Sequence, residues 1–250
     1  MGARFGGARR RPAKLWISAL AWSLAVTLLW AAGGRGAPRP RPSNRAGVAK
    51  ARPPAPLAAF EAEAEQMNDS ADISDWAELA TALREAEMSW ATLKPRLRAD
   101  GASAETVEAI DAALMRTAAD AARRATRAAK YDTNALTLTT PSLFELYVER
   151  LPADVMRLSA GFRQLQIDAE YGDWASAAQH LATLHTVWNR IRARVVAQSR
   201  ARHASVAIAP AVDSTLEKYG AALRLRHAVP AQTEAQNGRD FVEEIEQRFE

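Results

Sequence analysis

DWAELATALREAEMSWATLKPRL, residues 75–97, and DWASAAQHLATLHTVWNRIRARV, residues 173–195, decide how this chain is read. Each opens on Asp-Trp, and each carries a second Trp fourteen residues after the first. The two stretches are offset by 98 residues. The apolar positions of the first are Trp76, Leu79, Leu83, Ala86, Trp90, Leu93 and Leu97. Those of the second are Trp174, Ala177, Leu181, Leu184, Trp188, Ile191 and Val195. Alternating steps of three and four draw one apolar seam along a helix. Asp75 and Asp173 stand where a carboxylate caps free backbone N–H groups and meets the positive end of the helix dipole. The four tryptophans are expected in a core rather than in an aromatic box around a ligand, because nothing else in the chain converges on them.

Working outward, Ile110-Asp111…Leu114 answers Val212-Asp213…Leu216 at an offset of 102, and Asn134 is paired with Asn237. The spacing describes a duplicated helical unit of about 100 residues. Helices are expected at 57–68, 75–98, 104–130 and 141–150, and again at 152–170, 173–200, 205–228 and 231–249. Pro141 and Pro152 suit first helical positions. Tyr171-Gly172-Asp173 and Asp100–Ser103 read as turns. No stretch alternates with period two, so strands are not expected. The 56 alanines favour helix while burying little area each.

The second copy resembles an uncharacterised family of small, membrane-anchored bacterial helical proteins. There, paired Trp on one helix precede a His-bearing turn and a closing helix with Asn. The matching positions are Asp173, Trp174, Trp188, His203 and Asn237, under half the chain, and the first copy lacks the His. The resemblance implies a membrane location and a helical fold; that family has no assigned activity.

The net charge of +4 is misleading until it is divided. Residues 1–56 hold eleven basic side chains and no acid; residues 57–250 hold 22 basic and 29 acidic ones. An acidic globular part is a poor match for a phosphate backbone, so no nucleic-acid partner is expected. Leu15–Gly34, LWISALAWSLAVTLLWAAGG, has no charge over twenty residues. At ~1.5 Å per residue it spans roughly 30 Å, the thickness of a bilayer core. Arg9, Arg10, Arg11 and Lys14 precede it, and Trp16 and Trp30 lie near its ends, where indole prefers the interface. A cleaved signal peptide has a shorter apolar run, so an uncleaved anchor is favoured and secretion is the alternative. Basic residues are nearly balanced across the segment; the short N-tail argues for a C-terminal part outside the cytoplasm. Residues 35–56 carry six of the twelve prolines and read as an extended tether.

Chemistry leaves few marks. The chain has no Cys, which excludes disulfides, thiolate metal sites and cysteine catalysis. It holds no Glu-x-x-His, H-E-x-x-H, Walker A loop, G-x-S-x-G or G-x-G-x-x-G. His180 and His185 are five apart and do not share a helix face. The acidic run Glu61, Glu63, Glu65, Asp69, Asp72 and Asp75 reads as a solvated helix face plus caps. The basic group Arg123, Arg124, Arg127 and Lys130 reads as cations at a helix C-terminus.

The sequence therefore describes an all-α protein with a basic N-tail (1–14), a transmembrane signal anchor (15–34), a Pro/Arg-rich linker (35–56) and two helical repeats (57–151 and 152–250). The repeats form a duplicated antiparallel bundle or array around Trp76, Leu83, Trp90, Trp174, Leu181 and Trp188, capped by Asp75 and Asp173. The expected function is a non-enzymatic, periplasm-facing interaction or binding module. No catalytic, cofactor or metal residues are assigned; the bilayer is met through residues 15–34, and an unknown protein partner lies on the extracytoplasmic side. The alternatives are a metal- or haem-carrying bundle using His180, His185 or His203, and an envelope-associated enzyme.

Overall fold

A computed structural model describes residues 51–148 and 151–249, and these belong to one compact unit that begins at Ala49. The expected N-tail, the anchor and most of the linker lie outside the described residues. No described helix is long and apolar enough to cross a membrane.

The described residues are helical, with no strand among them. In chain order the helices are α1 (Ala55–Asp72), α2 (Trp76–Asp100), α3 (Ala104–Arg123), α4 (Thr126–Thr139), α5 (Pro141–Phe144), α6 (Ala153–Tyr171), α7 (Trp174–Ala201), α8 (Ile208–Leu225) and α9 (Ala228–Phe249). Helix α1 packs on α2 and α4, while α3 packs on α2 and α4. Likewise α6 packs on α7 and α9, while α8 packs on α7 and α9. The two groups meet along α4 and α6.

Two clusters of buried side chains follow. One is built from α1 to α5 around Phe60, Met67, Leu79, Trp90, Leu97, Ile110 and Leu136. The other is built from α6 to α9 around Phe162, Leu165, Trp188, Val195, Leu216 and Tyr219. Every seam position read from the sequence on α2 and α7 is buried except the first of each, Trp76 and Trp174, which are half-buried against the cluster edges. The Phe60 and Trp90 rings lie tilted with centroids 5.4 Å apart, within the range of a favourable aromatic pair.

The turns at Gly101 and Gly172 end α2 and α6 in the left-handed region, at φ +103° and +70°, where glycine meets no Cβ penalty. Four differences from the sequence reading bear on the architecture. The helix expected over 104–130 is two helices: α3 ends at Arg123, and Arg124 at φ +52° turns the chain into α4. In the same way Arg226, at φ +54°, ends α8 before Ala228 rather than letting it run to 228. Neither corner contains Gly or Pro, so composition gave no break signal there. The helix expected over 141–150 is the single turn α5. Finally, Pro152 is extended and precedes α6 as its N-cap instead of opening it.

Candidate functional site

Polar side chains gather at three places. The first two are tryptophan knots within the clusters. Trp90 Nε1 donates to Asp111 Oδ1 at 2.7 Å, and Lys94 Nζ, one turn along α2, lies 2.5 Å from Asp111 Oδ2. Trp188 Nε1 donates to Asp213 Oδ1 at 2.6 Å, and Arg192, one turn along α7, reaches Asp213 Oδ2 at 2.7 Å. A buried indole N–H needs an acceptor, and a carboxylate supplies the strong one. Burial works against both carboxylates, yet the Lys94 and Trp90 bonds hold Asp111 below its ordinary range, and the Arg192 and Trp188 bonds do the same for Asp213.

The third place is the junction of α4 and α6. Asn134 is fully buried and donates to Gln164 Oε1 (2.9 Å) and to the Ala160 carbonyl (3.1 Å). Gln164 donates to Asp168 Oδ1 at 3.0 Å. Asp168, with no exposure at all, also faces the Tyr131 hydroxyl (3.1 Å) and His180 Nδ1 (2.6 Å). Tyr131 donates more closely to Asp173 Oδ2, at 2.6 Å, which Arg127 also contacts. Burial and then the two flanking carboxylates push the Tyr131 hydroxyl far up, so it stays a neutral donor. Lys130, buried on α4, holds both oxygens of Glu170 at 2.8–2.9 Å. Arg163, only 5% exposed, reaches back to α1 and pairs with Asp69 (3.0 Å) and Asp72 (2.5 Å).

Beside that junction lies a cleft of about 290 Å³ bordered by α1, α4, α6 and α9, with Glu65, Thr137, Arg163, Arg239 and Glu243 on its walls. Burial, then the neighbouring Arg163, pulls the Arg239 guanidinium down from its ordinary value. Burial raises the Glu65 carboxyl, and Asp69 adds to this against the pull of Arg163.

These contacts correct three sequence readings. Asp75 caps α2 as expected, accepting from the Ala77 and Glu78 N–H groups. Asp173 stands at the N-cap position of α7 but makes no side-chain cap bond; its carboxylate is turned to Arg127 and Tyr131. The acidic run on α1 is more than a solvated face, because Asp69 and Asp72 neutralise a buried arginine and Glu63 accepts from Ser89. Of the basic group, Arg123 and Arg124 lie at the C-terminus of α3 as read; Arg127 and Lys130 belong to α4 and tie it to α6 and to the start of α7.

The histidines are dispersed. His180 is held by Asp168, His203 is exposed in the α7–α8 turn at φ +53°, and His227 is exposed between α8 and α9. No group of three or more His, Asp or Glu gathers to hold a metal among the described residues. Asn237 donates only weakly, to Glu234 at 3.3 Å. The Trp partners were visible in the sequence as Asp111 and Asp213, aligned but not assigned a role. Of the junction residues, Asn134 is marked in the sequence only as the counterpart of Asn237, and Gln164 and Asp168 not at all. Comparison of the chain with protein-family profiles, curated proteins and solved structures finds no match.

Proposed function

We propose that this chain is a duplicated helical protein, held at a membrane by residues 15–34 and acting outside the cytoplasm as a non-enzymatic protein-interaction module. The duplication is carried by one observation, the recurrence of the tryptophan knot. Donor, carboxylate and cation recur in the same order: Trp90, Asp111 and Lys94, then Trp188, Asp213 and Arg192. Tryptophan and cation are offset by 98 and the carboxylate by 102.

The same offsets extend the pairing. At 98, Pro54 and Pro152 each precede a first helical residue, and Leu57, Phe60 and Met67 answer Val155, Leu158 and Leu165, all fully buried. At 102, Ala129, Thr133 and Leu143 answer Ala231, Ala235 and Ile245, also fully buried, and Tyr147 answers Phe249. Under this register Asn134 answers Gln236, one position from the Asn237 that sequence alone suggests. The register also exchanges α4 with α9 and α6 with α1. Thr137 and Arg163 on one wall of the cleft become Arg239 and Glu65 on the other.

The interaction reading is supported by how the ionisable groups are used. Arg163, Lys130, Asp168 and Asp173 each bond a side chain of the other unit, so their chemistry is directed to holding the units together. The membrane reading is supported by the uncharged run 15–34 and its basic flanks.

Because the chain has no Cys, Thr92→Cys on the exposed face of α2 gives a single reactive thiol. With the full chain in intact spheroplasts, a membrane-impermeant maleimide should label it without lysis. Labelling only after lysis overturns the extracytoplasmic assignment. Cross-linking in the same membranes should recover a stoichiometric protein partner; purification of the full chain as an isolated monomer with a catalytic turnover would overturn the module.

A further inference from the structure

The charge on the described unit is unevenly distributed. Helix α7 contains no acidic residue over its full length Trp174–Ala201, while Arg190, Arg192, Arg194 and Arg200 fill its second half and Arg202 and His203 follow. Arg190 is bonded to Asp154 and Arg192 to Asp213. Arg194 is exposed and rests its guanidinium over the Phe249 ring at 5.3 Å. Arg200, Arg202 and His203 are exposed, and Val206, next along, is 43% exposed although apolar.

A chain of contacts puts this basic end of α7 at the end where the polypeptide enters the unit. The Ala51 carbonyl accepts from the Val148 N–H at 3.0 Å, and Tyr147 beside it bonds Asp100 at the foot of α2. Asp154, at the start of α6, holds Arg190, and Gln198 on α7 donates to the Arg248 carbonyl at the foot of α9. Arg52, Arg96 and Arg98 are exposed at the same end. Several acids there are already engaged: Asp100 by Arg96 and Tyr147, Asp154 by Arg157 and Arg190, and Glu244 by Arg248. Residues 57–250 carry an excess of acids as a whole, Glu243 and Glu246 at the foot of α9 included, whereas residues 174–212 contain none, so the basic run on α7 and the turn after it is a local exception.

We propose that this end is a docking face for an anionic lipid surface: Arg194, Arg200 and Arg202 engage headgroup phosphates, and Val206 enters the interface. The partner follows from the page, since the tether leaving at Ala51 carries further basic residues and leads toward the uncharged run 15–34. Basic residues beside a membrane gain from its negative surface potential within a Debye length, which is ~8 Å at physiological salt. The proposal rests on the membrane-anchored reading above.

The test uses the full chain reconstituted into vesicles of phosphatidylcholine alone, or with 30% phosphatidylglycerol. Single cysteines are placed at Val206→Cys and, at the opposite end, Leu225→Cys, and each carries a fluorophore quenched by a headgroup-bound quencher. Quenching at residue 206 should rise at least twofold with the anionic lipid and fall back in 0.5 M salt. It should also be lost in the triple variant Arg194→Gln, Arg200→Gln, Arg202→Gln; residue 225 should respond to none of these. A chain that floats with vesicles but shows equal quenching at 206 in both lipids overturns the docking face alone. A chain that does not float overturns the anchor and the docking face together. The salt response needs none of the arginine substitutions, so a poorly folding triple variant leaves the outcome readable.

Discussion

At the scale of single residues, the two tryptophan knots carry the sharpest expectations. Trp188 is 1% exposed and Trp90 is 5% exposed. Truncating either to Ala should cost ~3–5 kcal/mol of unfolding free energy, read from urea melts. Trp188→Phe keeps most of the volume but leaves Asp213 without its indole donor. Its cost should be smaller, ~1–2 kcal/mol, and Trp90→Phe should match it. If either truncation melts like the parent, that ring is not part of a core. Asp132 makes a prediction with the opposite chemistry. Burial and the neighbouring Asp120 raise its carboxyl to about 6, against the pull of Arg116. The folded state therefore holds a proton that the unfolded chain has released, and this contribution is present below pH 4 and lost as pH rises through 6. Asp132→Asn cannot ionise. It should raise the urea midpoint at pH 7.5 and leave it nearly unchanged at pH 4. An equal effect at both pH values would mean that the carboxyl titrates normally.

At the scale of elements, two glycines separate tight packing from mere small size. A Cβ on Gly238 would lie 2.3 Å from the Phe162 ring, which is itself fully buried, so α9 approaches α6 only because that position is bare. Gly238→Ala should therefore destabilise by ~1–3 kcal/mol despite the better helix propensity of Ala. At Gly161 the Cβ would meet only the tip of Leu184, a flexible side chain, and Gly161→Ala should be close to neutral in the same melts. The helices themselves were largely legible. The seam Leu79, Leu83, Ala86, Trp90, Leu93, Leu97 is apolar, regularly spaced and bounded by Asp75 and Gly101, and local rules suffice for it. Helix α4 was read poorly for a physical reason. Its buried stripe is Thr133, Asn134, Thr137 and Thr140, which in one dimension looks like a solvent face. Asn134 finds its partners in Ala160 and Gln164 of α6, Thr137 accepts from Asn68 of α1, and the hydroxyls of Thr133 and Thr140 are satisfied by carbonyls of their own helix. The corner at Arg124 was invisible for a different reason: a non-glycine left-handed residue costs ~1–2 kcal/mol, and composition does not mark the place where the Arg124 and Ala125 N–H groups turn back to the Ala121 and Asp120 carbonyls.

At the scale of the whole molecule, two buried clusters share one polar seam. Each cluster is built from its own four long helices, so cooperativity between them rests on α4 against α6 and on the reach of Arg163 to α1. Arg163→Met should convert a single calorimetric unfolding endotherm into two, because the ion pairs that bind α6 to α1 are lost while both clusters survive. A single endotherm at lower temperature would mean that the clusters do not fold separately. The seam being polar has a further result for how the protein is made. When a ribosome has delivered residues as far as Val148, every apolar side chain of the first cluster apart from its fringe contact Met156 is already in hand. What that half-finished product presents to water at the place awaiting α6 is Lys130, Tyr131 and Asn134, groups that water hydrates well. A nascent intermediate with such a face can wait during synthesis without offering other chains an adhesive surface.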